Sequence, residues 1–319
     1  MMPRFRPLAI ISHPHYLLHD TGGGEHPEVA ERLVAIRRRL EKSPLFPAIR
    51  EKTARTAERS DILTYHDESY LFRLEETALR GQTYIDHPDN QICFESFDSI
   101  MLSAGGCLTG IDLLEQGEDL VFCGVRPPGH HAERAMALGF CFVNNAVIAA
   151  RYWQRRYGRE KIAVIDWDAH HGNGIQDAFE EDPSVFYISI HEHPTFSFPG
   201  TGYAEEKGLG AGKGTTLNVP LPPGADDGVF LQAMKKVVEP ALDGFRPERI
   251  IVSAGFDGHR LDDMSGLAYS TDLYGLIGEK MAGMGQKYCR GKVLSILEGG
   301  YHLDALAAGV EQYLLGLAK

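Results

Sequence analysis

The sequence predicts an α/β fold, a single domain with a mostly parallel central sheet flanked by helices. Three observations carry this. Short apolar runs of strand length alternate with longer stretches of helical spacing, the pattern of crossover units. The short runs are apolar on both faces and rich in β-branched residues, as strands of a doubly covered parallel sheet are. No repeat, low-complexity tract or Pro/Gly/Ser linker divides the 319 residues, so one domain is taken to run over 1–319.

In chain order the expected strands are LAIIS (Leu8–Ser12), LVFCGV (Leu120–Val125), IAVID (Ile162–Asp166), VFYISI (Val185–Ile190), TLNVP (Thr216–Pro220), RIIVSAG (Arg249–Gly255) and KVLSILE (Lys292–Glu298). Helical spacing fits Pro27–Leu40, Ser69–Arg80, Phe97–Glu115, Asn145–Tyr157, Asp227–Leu242, Asp272–Cys289 and His302–Leu317. Hydrophobic residues make up 43% of the chain, enough for a sizeable core.

Composition narrows the function. A net charge of −12 argues against a nucleic-acid partner, which calls for a basic face to neutralise phosphates. The same charge suits a cationic ligand, and equally suits solubility alone. The apolar runs read as strand-sized, too short to span a bilayer. MMPRFRPLAIIS meets a His/Asp/Gly-rich segment rather than a small-residue cleavage site, so neither a signal peptide nor a membrane partner is expected. Five cysteines (Cys93, Cys107, Cys123, Cys141, Cys289) contain no CxxC pair and read as reduced thiols of a cytoplasmic protein.

The chemistry-bearing residues follow strands. VFCGV runs into RPPGHH, IAVID into WDAHHGNG, IIVSAG into FDGHR and VLSILE into GGYH. Open α/β sheets bind ligands beyond the carboxyl ends of their strands, so these loops point to one site. Asp168 and His170, two apart on a strand end, share a face and offer two metal ligands. Asp257 is the natural third, and three protein ligands leave a position open for water or substrate, as in catalytic metal sites. A lone Asp-x-His would read as a hydrogen-bonded strand cap; three companion loops favour the metal. The tandem His130–His131 can supply a general base and an electrostatic partner, with Asp166 and Asn173 near enough to orient them. An imidazole paired with a carboxylate is drawn toward the cation and one paired with an amide is not, which would divide the two roles. Tyr301, after two glycines, can donate a hydrogen bond to a polarised carbonyl.

RPPGHHAERAMALGFCFVNNAVIAA, VIDWDAHHGNGIQDAF, FSFPGTGYAEEKG, SAGFDGHR and LEGGYH together resemble, in order and spacing, the histone deacetylase family, which includes acetylpolyamine amidohydrolases and bacterial deacetylase-like amidohydrolases. The resemblance runs from HPEVAERL (His26–Leu33) to the C-terminus, and the HHGNG form, with Asn173, looks like the class II branch. It implies an arginase/deacetylase-like fold and a metal-dependent enzyme that removes acetyl or longer acyl groups from lysine side chains or related amines. Asp168, His170 and Asp257 match the family's Zn²⁺ ligands, though an oxygen-rich set also suits Fe²⁺ or Co²⁺. His130 and His131 match the tandem pair, His131 being the proton shuttle, and Asp166 and Asn173 match their partners. Tyr301 matches the catalytic tyrosine. Gly139, Phe140 and Phe198 match the acyl channel and Met264 the gatekeeper at its mouth, where a polyamine-selective branch has Glu. Asp89, in YIDHPDN, is matched to a substrate-binding aspartate, with Asp86 competing for that match. Asp166, Asp168, His170, Ser189 and Ile190 match a structural K⁺ site. A homo-oligomer is compatible with this reading, and a partner subunit would narrow the mouth.

Two other readings are weighed. An arginase-type ureohydrolase carries DxHxD, whereas Gly172 stands at the last position here. A silent acyl-amine-binding module would have lost Tyr301 or a ligand, and neither is lost. Gly208–Thr216 fails the phosphate-loop pattern, His191 begins no HExxH, and no GxSxG occurs.

Overall fold

The strands are β1 (Leu8–Ser12), β2 (Ile49–Thr53), β3 (Tyr84–Ile85), β4 (His87–Gln91), β5 (Leu120–Cys123), β6 (Ile162–Asp166), β7 (Val185–Glu192), β8 (Thr216–Leu221), β9 (Arg249–Ala254) and β10 (Val293–Leu297). The helices are α1 (Glu31–Leu40), α2 (Arg59–Ile62), α3 (Glu68–Leu79), α4 (Ser96–Gln116), α5 (Asn145–Tyr157), α6 (Asn173–Phe179), α7 (Asp227–Ala233), α8 (Glu239–Phe245), α9 (Thr271–Cys289) and α10 (Leu303–Leu317). They come from a computed structural model that describes residues 5–23 and 25–319. The first four residues of the MMPRFRPLAIIS segment, and Gly24, lie outside the described residues.

Eight strands form one sheet in the order β2-β1-β5-β10-β9-β6-β7-β8, and every neighbouring pair is parallel. β3 and β4 pair separately and antiparallel. The period-2 alternation of strand side chains builds two apolar layers. Ala163, Ile165, Ile250 and Val252 face one cluster with Leu273, Ile277 and Met281 of α9 and Val310 and Leu314 of α10. Ile162, Val164, Ile251 and Leu294 face the other, with Ile111 of α4, Val147 and Trp153 of α5 and Phe179 of α6. Five strands (β5, β6, β7, β9, β10) are buried along their whole length, which is why their apolar runs are nearly continuous, though β7 sets Tyr187, Ser189 and His191 on one of its buried faces.

Three expectations are corrected. The edge strand β2, IREKT, is absent from the sequence reading because Arg50, Glu51 and Lys52 make it polar, as sheet edges that resist further pairing are. The expected helix Asp227–Leu242 is broken: a π turn at Met234–Val238 separates α7 from α8, and Pro240, which has no N–H to give an i→i−4 bond, sits in the first turn of α8. The apolar runs are not all strand-sized. α4 has 21 residues and is apolar enough, by length and composition, to cross a bilayer; 72% of its apolar window is packed inside the fold.

The sheet order sets up the site. β5, β10, β9 and β6 are consecutive neighbours, so the loops that leave their carboxyl ends converge.

Candidate active site and metal centre

Asp168 and His170 lie just past β6, and Asp257 lies just past β9, the strand paired to β6 through Asp166 and Ser253. His170 Nδ1 is 3.1 Å from Asp168 Oδ1 and 2.9 Å from Asp257 Oδ2. All three residues are buried, and one ligand atom of each lies within 4.8 Å of the others. His170 Nε2 is 3.1 Å from the Met264 carbonyl, which can only accept, so Nε2 carries a proton while Nδ1 faces the two carboxylates; burial disfavours charge on the ring, but Asp168 and Asp257 outweigh it and raise its pKa well above the ordinary value. Nδ1 and the two carboxylates thus share a buried space that calls for a cation, either a proton on Nδ1 or a metal ion bound by all three. Backbone amides orient the carboxylates: Gly299 N donates to Asp168 Oδ2 at 2.8 Å and Ala169 N to Asp257 Oδ1 at 2.9 Å. A Cβ on Gly299 would lie 2.4 Å from Asp257 Oδ2 and 2.6 Å from Asp168 Oδ2, so glycine keeps the cradle open. Burial and the Asp168 charge push the Asp257 carboxyl up. Burial works against Asp168 too, but His130 and His170 hold it well below the usual range. The donor set and its unbalanced charge fit a divalent ion.

The tandem histidines stand 3.9 Å apart between ring centroids. His130 Nδ1 is 3.1 Å from Asp166 Oδ2, and His131 Nδ1 is 2.8 Å from Asn173 Oδ1. Asn173 Nδ2 donates to Glu133 Oε1 at 2.8 Å, which pins the amide so that its oxygen faces His131. Burial disfavours charge on both rings. On His130 the Asp168 and Asp166 carboxylates outweigh it and raise the pKa to about 10. On His131 burial and the charges of His130 and His170 push the pKa well below the ordinary value. The surroundings of the two adjacent imidazoles thus favour opposite protonation states.

Gly300, at φ 121°, turns the chain into Tyr301, whose ring lies 5.1 Å from the Arg32 guanidinium carbon and 5.8 Å from the Phe140 ring. Burial pushes its phenol well above the ordinary pKa, so it remains a donor. Phe198 packs edge-on against His131 at 4.9 Å. Gly139, at φ 54°, leaves no room for a side chain: a Cβ would lie 2.5 Å from His131 Cδ2 and 2.9 Å from Phe198. Phe140 N donates to buried Asn90 Oδ1 at 3.0 Å, which holds that wall.

Met264 meets the centre through its carbonyl. Asp86 pairs with Arg73 and accepts from Ala137 N, while Asp89 has an exposed side chain and reaches the rim through its carbonyl, bonded to His26, whose ring packs on Phe140 at 4.7 Å. Of the five residues expected around a monovalent cation, Asp166 and Ser189 are register partners on β6 and β7, Ile190 is next along β7, and Asp168 and His170 follow β6. Ser189 Oγ lies 2.7 Å from His191 Nδ1. A Cβ on Gly172 would meet Asp166 Oδ2 at 2.4 Å and the Tyr187 hydroxyl at 2.6 Å, leaving no room for the carboxylate of a two-metal ureohydrolase.

Sequence reasoning missed two buried carboxylates. Glu298 Oε2 accepts from Gly129 N at 2.8 Å and His130 N at 3.2 Å, anchoring the tandem turn from beneath. Its signal was a charge directly behind a wholly buried strand, VLSIL. Asp262 accepts from the Tyr301 and His302 amides. Beside Tyr301 a cleft of about 820 Å³ is lined by Asp20, Glu25, Glu31 and Asp263, with Arg126 as its one cationic side chain and His19 and His26 beside it.

A family model described as a histone deacetylase domain matches residues 26–317. A probable deacetylase of Archaeoglobus fulgidus is 37% identical over 298 residues, covering 92% of this chain and 81% of its own. A histone deacetylase-like amidohydrolase of Pseudomonas aeruginosa is 34% identical, covering 90% of this chain and 77% of its own. The crystal structure of the HDA15 HD domain matches with a TM-score of 0.92 at 33% identity, covering 98% of this chain and 88% of that one. This chain belongs to the histone deacetylase family. It is a hydrolytic enzyme of the deacetylase class.

Proposed function

We propose that this chain, as one catalytic domain over 1–319, hydrolyses acetyl or longer acyl amides of lysine side chains or of related amines such as acetylpolyamines. The observation that carries this reading is the buried convergence of His170 Nδ1 with the Asp168 and Asp257 carboxylates, beside two imidazoles with different partners, Asp166 and Asn173. Asp168, His170 and Asp257 would hold one Zn²⁺, with Fe²⁺ or Co²⁺ suited to the same oxygen-rich set. When bound, such an ion supplies a Lewis acid that polarises a carbonyl and makes water more acidic.

The chain's own residues do the rest. His131, neutral beside Asn173, takes a proton from the attacking water and passes it to the leaving amine. His130, kept cationic by Asp166 and Asp168, stabilises negative charge as it develops and is not required to cycle. Tyr301 donates to the carbonyl oxygen as that oxygen gains charge. Phe140 and Phe198 wall an apolar passage for the acyl-bearing chain, with Gly139 keeping it open and Met264 and Asp89 toward the mouth. Met264 stands where the polyamine-selective branch has Glu, whereas the acidic cleft beside Tyr301 favours a cationic amine. Asp166, Asp168, His170, Ser189 and Ile190 would hold a structural K⁺. All five cysteines are free thiols, as suits a cytoplasmic protein.

The test is turnover of a fluorogenic acetyl-lysine amide with and without a chelator, followed by a panel of acetyl-lysine peptides against acetylpolyamines. Chelator-sensitive release of acetate is expected; full activity in metal-free protein would sink the reading.

A further inference from the structure

The phenol of Tyr301 must be held at one depth to serve an oxygen that gains charge only during reaction, yet its local sequence gives it little support. Gly299 and Gly300 precede it, and neither has a side chain to pack. What grips the backbone is Asp262, 5% exposed, in the LDDMSG loop. Its Oδ2 accepts from Tyr301 N at 2.6 Å and from His302 N at 2.9 Å, two successive amides at the entry to α10. Its Oδ1 accepts from Met264 N at 3.2 Å. One carboxylate thus fastens the backbone of the tyrosine and the backbone of the residue at the channel mouth.

We propose that Asp262 is a positioning residue for the reaction, a strut that sets Tyr301 against the substrate carbonyl and couples it to the Met264 wall. This rests on the deacetylase reading above, in which Tyr301 is the oxygen-directed donor. The chemistry favours a carboxylate specifically. A buried anion accepts strongly from several amides at once, whereas an amide side chain has one acceptor and would turn an N–H toward one of the three donors. With Asp262→Asn, either Met264 N or the Tyr301–His302 pair faces another donor and must move. A displacement of less than an ångström at the phenol is enough to slow the reaction without weakening binding of the acyl chain.

The experiment is a double-mutant cycle on the metal-loaded full chain, reading kcat, KM, bound metal and thermal midpoint for the wild type, Asp262→Asn, Tyr301→Phe and the double variant. Asp262→Asn is expected to lower kcat on the order of 10–100-fold, with KM little changed and metal content intact. In the Tyr301→Phe background the same change should cost less than about 2-fold, because the group it positions is gone. Asp262→Ser, which empties the position rather than inverting it, serves if Asp262→Asn does not fold. Equal fold losses in both backgrounds, loss of bound metal along with activity, or wild-type kcat in a folded Asp262 variant would each overturn the assignment. A wild type without turnover overturns the deacetylase reading and this one together. Turnover lost by Tyr301→Phe alongside an additive Asp262 effect overturns only the strut.

Discussion

Asn173→Asp is the sharpest probe of how the two histidines divide their labour. Asn173 Oδ1 sits 2.8 Å from His131 Nδ1, so the substitution places a negative charge against a ring that burial and two neighbouring imidazoles keep neutral. At an effective dielectric of about 20, opposite unit charges roughly 3 Å apart interact by about 5 kcal/mol. Each pKa unit is about 1.4 kcal/mol, so the bare interaction sets an upper limit near 4 units. Glu133 reduces it. Its Oε1 now accepts from Asn173 Nδ2 at 2.8 Å, and in the variant it would face a carboxylate oxygen. The expected rise therefore falls within the ~1–3 units seen when an opposite charge is added close by. The sign follows from the mechanism: His131 works as a base when neutral, so a raised pKa leaves it protonated to higher pH. The acidic limb of kcat/KM against pH should move upward by ~1–3 units. Adding Glu133→Gln should enlarge the shift, because it removes the opposing charge. The assay is the pH profile of kcat/KM on a fluorogenic acetyl-lysine amide, with metal content checked. An unmoved acidic limb in folded, metal-loaded Asn173→Asp would refute the proposition that His131 is the neutral base.

Three further outcomes follow from the same geometry. Asp168→Ala or Asp257→Ala should remove bound metal and turnover together, read by elemental analysis beside the activity assay, since two ligands hold a hydrolytic ion poorly. Tyr301→Phe should lower kcat on the order of 10²–10³-fold with little change in metal content; near wild-type kcat would show that the phenol does not face the reacting oxygen. His131→Ala should fall to background at every pH while His130→Ala keeps measurable activity, and equal losses in the two would mean that both cycle a proton.

Much of this architecture is legible in the sequence because the governing signals are local. β1 and β6 have the bounds that their apolar runs suggest, and α5 begins and ends where its spacing does. The loops after β5, β6, β9 and β10 declare themselves by setting His, Asp and Tyr directly behind buried strands. What the sequence hides depends on distance in the chain. β2 is polar because it is an edge, and nothing local reveals that its residues pair with β1. Glu298 and Asp262 act through backbone amides 168–169 and 39–40 residues away, partners that only the folded sheet supplies. The Asp86/Asp89 choice is likewise tertiary, since Arg73 and the Ala137 amide engage Asp86.

The sheet order has a consequence for how the molecule comes into being. β10, the last strand along the chain, lies at the middle of the sheet, between β5 and β9. Until it inserts, β2-β1-β5 and β9-β6-β7-β8 are two separate half-sheets, each with a long apolar edge exposed to other chains. His130 then belongs to one half and the residues of the metal centre to the other. A growing polypeptide therefore passes through a stage in which the nine earlier strands have been made and the centre is still divided. Closing it requires β10 to pair with β9, where Val293 meets Ile250, and with β5, where Val293 meets Leu120 from far back in the chain, a long-range topology associated with slow folding and a long window for aggregation. An internal strand threaded last makes the arrival of β10 decide whether the earlier halves become one molecule.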